Sequence, residues 1–154
     1  MFKDPAVSIR KYIYGEQGAA RAIKTEAFEY ISIRYTDEQI TGALSKRADR
    51  AYKTLLGLSS GISRARYFHP DIFSADQLYD LSKDPNSKKN VAHDSGYAEQ
   101  LKKMKAILTK TIKELGPRPY GDFVPGEGTS DAEASQKVLD QLAAYHAKEG
   151  KKKK

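Results

Sequence analysis

The sequence predicts an α+β fold: a small four-stranded antiparallel sheet with a long C-terminal helix packed on one face, plus an inserted helix. Three observations predict it. Residues 9–35 hold segments rich in β-branched and aromatic residues, joined by short connections. Residues 97–115 carry apolar side chains at helical spacing. Residues 78–81 (LYDL) form a further strand-like run that meets a turn of Ser, Lys, Asp, Pro and Asn.

Residues 9–14 (IRKYIY) read as the first strand, ended by Gly15 and followed by a loop, Gly15-Glu16-Gln17-Gly18-Ala19. Residues 20–25 (ARAIKT) alternate, with Ala20, Ala22 and Lys24 on one face and Arg21, Ile23 and Thr25 on the other. Residues 28–35 (FEYISIRY) follow almost at once. Their alternation sets Ile31, Ile33 and Tyr35 against Phe28, Tyr30, Ser32 and Arg34. Connections this short favour antiparallel pairing, because a parallel crossover needs about a dozen residues or more.

The period then changes. Thr36-Asp37-Glu38-Gln39 fits a capping box, in which the threonine hydroxyl and the glutamine amide satisfy free groups of a first helical turn. Ile40, Leu44, Ala48, Ala51, Leu55 and Leu58 continue one helical face, and Gly57 with residues 59–61 (SSG) ends it. Residues 62–76 read as a loop carrying three aromatics. The second long helix, residues 97–115, has Tyr97, Leu101, Met104, Leu108, Ile112 and Leu115 on its apolar stripe, with Asp94 or Ser95 as cap and Gly116-Pro117 as stop. A Pro/Gly-rich connector (116–128) precedes a last helix, opened by a second capping box at Ser130 to Glu133, with Val138, Leu142 and Tyr145 inward. The organisation is therefore residues 1–115 as one subdomain, with 36–76 inserted, and 116–154 as connector, terminal helix and solvated lysine tail.

Composition narrows the classes. At 154 residues the chain suits one modest domain. No run approaches the roughly 18 apolar residues of a membrane helix, so a soluble chain is expected, and residues 1–20 lack the apolar core of a secretory signal. Cysteine is absent, which excludes disulfides, cysteine metal sites and a cysteine nucleophile. Of the net charge of +7, four units are Lys151 to Lys154, leaving +3 for the rest, and that distribution argues against nucleic acid.

Residues 77–92 (QLYDLSKDPNSKKNVA) resemble the closing segment of the sulfatase family, where an L-Y-D-L strand meets D-P and an N-L-A-like step before the last helix. Arg21-Ala22-Ile23-Lys24-Thr25-Glu26 and Phe28-Glu29-Tyr30-Ile31 are similar to the family's R-A-V-R-T-x-x-Y-K-Y-I strand pair, and residues 10–16 (RKYIYGE) to the strand leading into it. The three segments follow the family's order across residues 9–115. Departures are Ser87 for a common glutamate, Val91 for leucine, Lys24 for arginine and Glu29 for lysine.

The resemblance implies the C-terminal subdomain of a sulfatase, a sulfuric ester hydrolase, partnered by the N-terminal catalytic domain of a parent chain and meeting sulfated substrate through that parent. Such enzymes use a formylglycine made from C/S-x-P-x-R and a calcium ion held by Asp/Asn oxygens. Here no serine is followed by x-Pro-x-Arg, and Asp71, Asp76 and Asp80 lack the spacing of a calcium loop. No catalytic residue, metal ligand or cofactor is therefore expected in this chain; calcium and formylglycine are expected only in the N-terminal part of the parent. His69, His93 and His146 make no H-x-x-x-H pair, and Gly15 with Gly18 makes no phosphate fingerprint. The candidates for a substrate rim are Glu16 and Gln17, in a loop near the catalytic domain, and Arg64, Arg66 and His69 in the inserted loop. Two rival readings stay open: a non-enzymatic basic interaction protein using its lysine tail, and a nucleic-acid binder stacking bases on tyrosine-rich strands.

Overall fold

The computed structural model describes residues 11–44, 71, 74–115 and 132–152. Four strands form one sheet in the order β1-β2-β3-β4: β1 (Ile13–Gln17), β2 (Ala20–Lys24), β3 (Phe28–Ile33) and β4 (Asp76–Asp80). All neighbours are antiparallel, with Gln17 opposite Ala20, Lys24 opposite Glu29 and Phe28 opposite Asp80. Among the described residues the helices are α1 (Asp37–Leu44), α2 (Ala98–Leu115, preceded by a 3₁₀ turn at Ser95–Tyr97) and α3 (Ala132–Lys152). The α+β class read from the sequence is the class observed.

Local chemistry explains the turns and caps. Gly18 takes a positive φ of 52° at the first position of the two-residue β1–β2 connection, the pattern of a type II′ hairpin that glycine enters without a Cβ clash. Thr25 closes the β2–β3 turn. Its hydroxyl lies 2.9 Å from the Phe28 amide, which donates to it, and its own amide donates to the Phe28 carbonyl at 2.8 Å. At the start of α1 the Thr36 amide donates to Gln39 Oε1 at 2.9 Å and the Gln39 amide donates to Thr36 Oγ1 at 3.2 Å, so the capping box forms as expected. Asp94 caps the turn before α2 by accepting from the Gly96 amide at 2.8 Å.

The alternation in β2 and β3 decides the core. Ile23, Tyr30 and Leu78 lie side by side across three strands, fully buried, and α2 covers them with Met104, Leu108 and Ile112. Each such apolar side chain taken from water stabilises the fold by about 1.5–3 kcal/mol. Thr111, on the same helix, donates from its hydroxyl to Tyr12 at 3.0 Å and so ties α2 to the chain entering β1.

The opposite face behaves differently. Ile33, Tyr35 and Ala75 pack with Val138 and Leu139 of α3, and α1 joins through Ile40. While α2 covers the first face, α3 covers one end of the other. Two side-chain-to-backbone bonds fix it there, with the Tyr35 amide donating to Ser135 Oγ at 3.1 Å and the Ala75 amide to Gln136 Oε1 at 2.8 Å. The other half of that face, where Lys24, Glu29, Ile31, Gln77 and Tyr79 stand, has no helix over it among the described residues.

Strand limits also differ from expectation, and β3 ends at Ile33 instead of Tyr35. β1 runs through Gly15 to Gln17, because the tight turn needs only Gly18 and Ala19, and Gly15 sits at ordinary distance from Ala22. β4 starts at Asp76, two residues before the expected Leu78, because Asp76 finds charged partners on the sheet face. The predicted continuation of the first helix through residues 45–58, most of the 62–76 loop, the 116–128 connector and the side chains of Leu142 and Tyr145 lie outside the described residues.

Candidate functional site

The segment leaving β4 combines backbone turns with side chains that accept from backbone amides. Asp80, nearly buried, accepts from the Ser82 amide at 3.2 Å and from the Ser82 hydroxyl at 2.5 Å through Oδ1, while Oδ2 accepts from the Tyr97 hydroxyl at 3.0 Å. These bonds, the Ser82 hydroxyl foremost, hold its carboxyl down to about 2. Lys83 lies 3.3 Å from the same carboxylate and donates to the Tyr97 hydroxyl at 2.9 Å; that bond and Asp80 hold its ammonium above the ordinary lysine range. Tyr97 in turn meets Phe28 edge-on, with ring centroids 6.3 Å apart.

Asp84 and Asn90 complete the device. Asp84 Oδ2 accepts from the amides of Lys88 and Lys89 at 2.6 and 2.7 Å, curling residues 84–89 around its carboxylate. Asn90 Oδ1 accepts from the Leu78 and Ala92 amides, both at 2.9 Å, and Nδ2 donates to the Asp76 carbonyl at 3.1 Å. The Val91 amide donates to the Leu78 carbonyl at 2.8 Å. Asn90 and Val91 thereby occupy the outer edge of β4, which would otherwise offer unpaired strand groups to other chains.

A charged cluster lies beneath α2. Arg34, whose side chain is 3% exposed, meets Asp76 Oδ1 at 2.6 Å and donates to the carbonyls of Ile33 and Ala75 at 2.9 and 2.8 Å. Lys105 of α2 meets Asp76 Oδ2 at 2.6 Å, and the Tyr30 hydroxyl donates to Asp76 Oδ1 at 2.7 Å. Burial opposes the Asp76 charge, but Arg34, Lys105 and Tyr30 outweigh it and hold the carboxyl below the ordinary carboxylate range. Burial, followed by the nearby Asp76 carboxylate, raises the Tyr30 phenol above its usual value, so it stays protonated and donating. The cluster joins sheet to helix and exposes no nucleophile.

The third feature is a cleft of about 420 Å³ on the half of the opposite face that no helix covers among the described residues. Lys24, Glu29, Ile31, Gln77 and Tyr79 form its sheet side, and residues 85–87 form a wall. Lys24 and Glu29 pair at 3.6 Å, and the Ser87 hydroxyl donates to the same Glu29 Oε2 at 2.9 Å. Tyr79 donates to Gln77 Oε1 at 3.0 Å, and Gln77 Nε2 donates to the Ser74 carbonyl at 2.9 Å. Burial, helped by the carboxylates of Asp71, Glu29 and Asp84, raises the Tyr79 phenol and keeps it neutral. Ser87 has φ 51°, the left-handed region that a residue with a Cβ occupies at a conformational cost.

Only two of the sequence-derived rim residues, Glu16 and Gln17, fall among the described residues, and these two do not share a face. Glu16 and Gln17 lie within β1, not in a loop, and adjacent strand positions face opposite ways. Glu16 turns toward the α2 side, 3.7 Å from Arg21 and accepting from the Tyr14 hydroxyl at 2.8 Å, while Gln17 is exposed. Arg64, Arg66 and His69 lie outside the described residues. His93 is exposed in the turn before α2. The cleft was missed because its two sides lie 58 residues apart at the Ser87–Glu29 contact. Among the described residues no group of three His, Asp or Glu side chains could hold a metal ion, and no helix is long and apolar enough to cross a membrane. Neither a protein-family model nor a curated protein sequence matches this chain.

Proposed function

We propose that this chain is the C-terminal subdomain of a sulfatase, carrying no reactive centre and shaping the substrate side of a cleft in the parent enzyme. The observation that carries the reading is the agreement between the resembling residues and the contacts they make. Asp80, Asp84 and Asn90, which lie in the stretch resembling the family's L-Y-D-L, D-P and N-L-A steps, each satisfy backbone amides that would otherwise lack partners. A resemblance at such positions is a resemblance of architecture. It bears on descent and leaves the chemistry of this chain untouched.

Chemistry supports the same division of labour. Formylglycine needs a cysteine or a serine in C/S-x-P-x-R, and the sequence holds neither; among the described residues no group of three acidic or histidine side chains could hold a calcium ion. The nucleic-acid alternative keeps a smaller stacking surface, since Tyr30, Tyr35 and Tyr79 are at most 2% exposed while Tyr12, Tyr14 and Tyr97 are half-buried.

Two measurements test the proposal together. The purified chain is assayed with an aryl sulfate, where no turnover is expected and measurable hydrolysis overturns the reading. The coding sequence contiguous with Met1 is then determined. An in-frame C/S-x-P-x-R upstream is expected, and its absence contradicts the proposed parent.

A further inference from the structure

We propose that the cleft between β2, β3, β4 and residues 85–87 binds an uncharged polyhydroxylated ring, the chemistry of a neutral monosaccharide unit. The inference stands on the cleft alone and does not rest on the proposed descent.

Size comes first. At about 420 Å³ the cleft falls within the roughly 300–1,000 Å³ of small-molecule sites. Charge comes next. Lys24 and Glu29 neutralise each other at 3.6 Å, and among the described residues neither Arg nor a second Lys lines the cleft. A phosphate or sulfate site needs convergent donors and a net positive field, which the described lining does not supply.

Polar valences decide the ligand class. Glu29 commits Oε2 to Ser87 and Lys24, leaving Oε1 as an acceptor. Lys24 is 48% exposed and keeps donors for a ligand. Asn86 makes no side-chain hydrogen bond with the described residues, so its amide offers both a donor and an acceptor at the rim. Between these groups lie the apolar surfaces of Ile31 and Pro85, over the buried Tyr79. A sugar ring matches that arrangement, with hydroxyls that both donate and accept around its edge and C–H groups on its face.

The wall is also preorganised. Ser87 is held in a left-handed conformation while its hydroxyl fastens the turn to Glu29, and Tyr79 and Gln77 are locked by their mutual bond and by Ser74. Backbone strain kept at the lip of a polar cleft is a mark of a binding site, since positions fixed beforehand lose less freedom when a ligand arrives.

The test titrates the full chain with glucose, galactose, mannose and N-acetylglucosamine, and separately with inorganic sulfate, following backbone amide shifts by NMR. We expect at least one neutral sugar to shift the amides of Lys24, Glu29, Asn86 and Ser87 saturably, with Kd on the order of 1 mM. Asn86→Ala, at an exposed position without internal bonds, should weaken that affinity severalfold with the fold intact. Glu29→Gln keeps an acceptor for Ser87 and should weaken it about tenfold. Sulfate binding without sugar binding overturns the proposal, as does saturable sugar binding that both variants leave unchanged. Absence of any sugar-dependent shift at a concentration tenfold above the expected Kd overturns it too.

Discussion

Asp76→Asn removes the single carboxylate that two cations share beneath α2, and its effect can be worked from the structure. The side chain of Arg34 is 3% exposed and that of Asp76 12%, so the variant leaves a buried guanidinium without a counter-charge. Removing one partner of a buried pair costs about 3–5 kcal/mol. Lys105, at 34% exposure, can turn toward water, so its lost contact adds at most about 1 kcal/mol. With a urea slope of about 2 kcal/mol per molar, the unfolding midpoint followed by circular dichroism should fall by roughly 1.5–3 M at neutral pH. The pH dependence has a fixed sign. The folded carboxyl titrates below the unfolded value of about 3.9, so its stabilisation is complete above that pH and is lost as pH falls through the folded value. The gap between wild type and variant should therefore narrow in acid. A gap under about 1 kcal/mol at neutral pH, or one that stays constant into acid, refutes the reasoning.

Other perturbations follow from the same geometry. Asn90→Ala removes two acceptor bonds and one donor bond at the β4 edge and should destabilise by about 2–3 kcal/mol in the same urea assay. Ser82→Ala should raise the Asp80 titration more than Tyr97→Phe does, read by NMR of the carboxyl carbon, because the Ser82 hydroxyl is the largest influence on that group; the reverse order contradicts the assignment. Thr36→Ala breaks the capping box of α1 and should cost about 0.5–2 kcal/mol, checked by thermal unfolding. Gly18→Ala forces a Cβ onto a φ of 52° and should cost about 1 kcal/mol or more by the same measurement.

Local chemistry made much of this fold legible. The alternation through Tyr30 and Ile31 assigns the two sheet faces, and the stripe through Met104, Leu108 and Ile112 marks the face of α2 that covers one of them. Thr36 with Gln39 announces the start of α1. Features set by distant partners were not legible. Asp76 looks like a loop residue until Arg34 and Lys105 stand beside it, 42 and 29 positions away. The side of the sheet that α3 takes depends on Ser135 and Gln136 meeting Tyr35 and Ala75, which no local window contains. Gly15 reads as a terminator because glycine usually ends a strand, yet at an edge beside Ala22 it fits within one. The cleft depends on Ser87 reaching Glu29, a contact without local signature.

The central claim is that the reactive centre belonging with this chain lies in a part of the polypeptide beyond these 154 residues. The most direct measurement recovers the protein from its native cells with an antibody to this chain and determines its intact mass and peptides by mass spectrometry. The account predicts a polypeptide longer than these residues, containing a peptide with formylglycine in an x-P-x-R setting. A mature polypeptide consisting of these residues alone would contradict it.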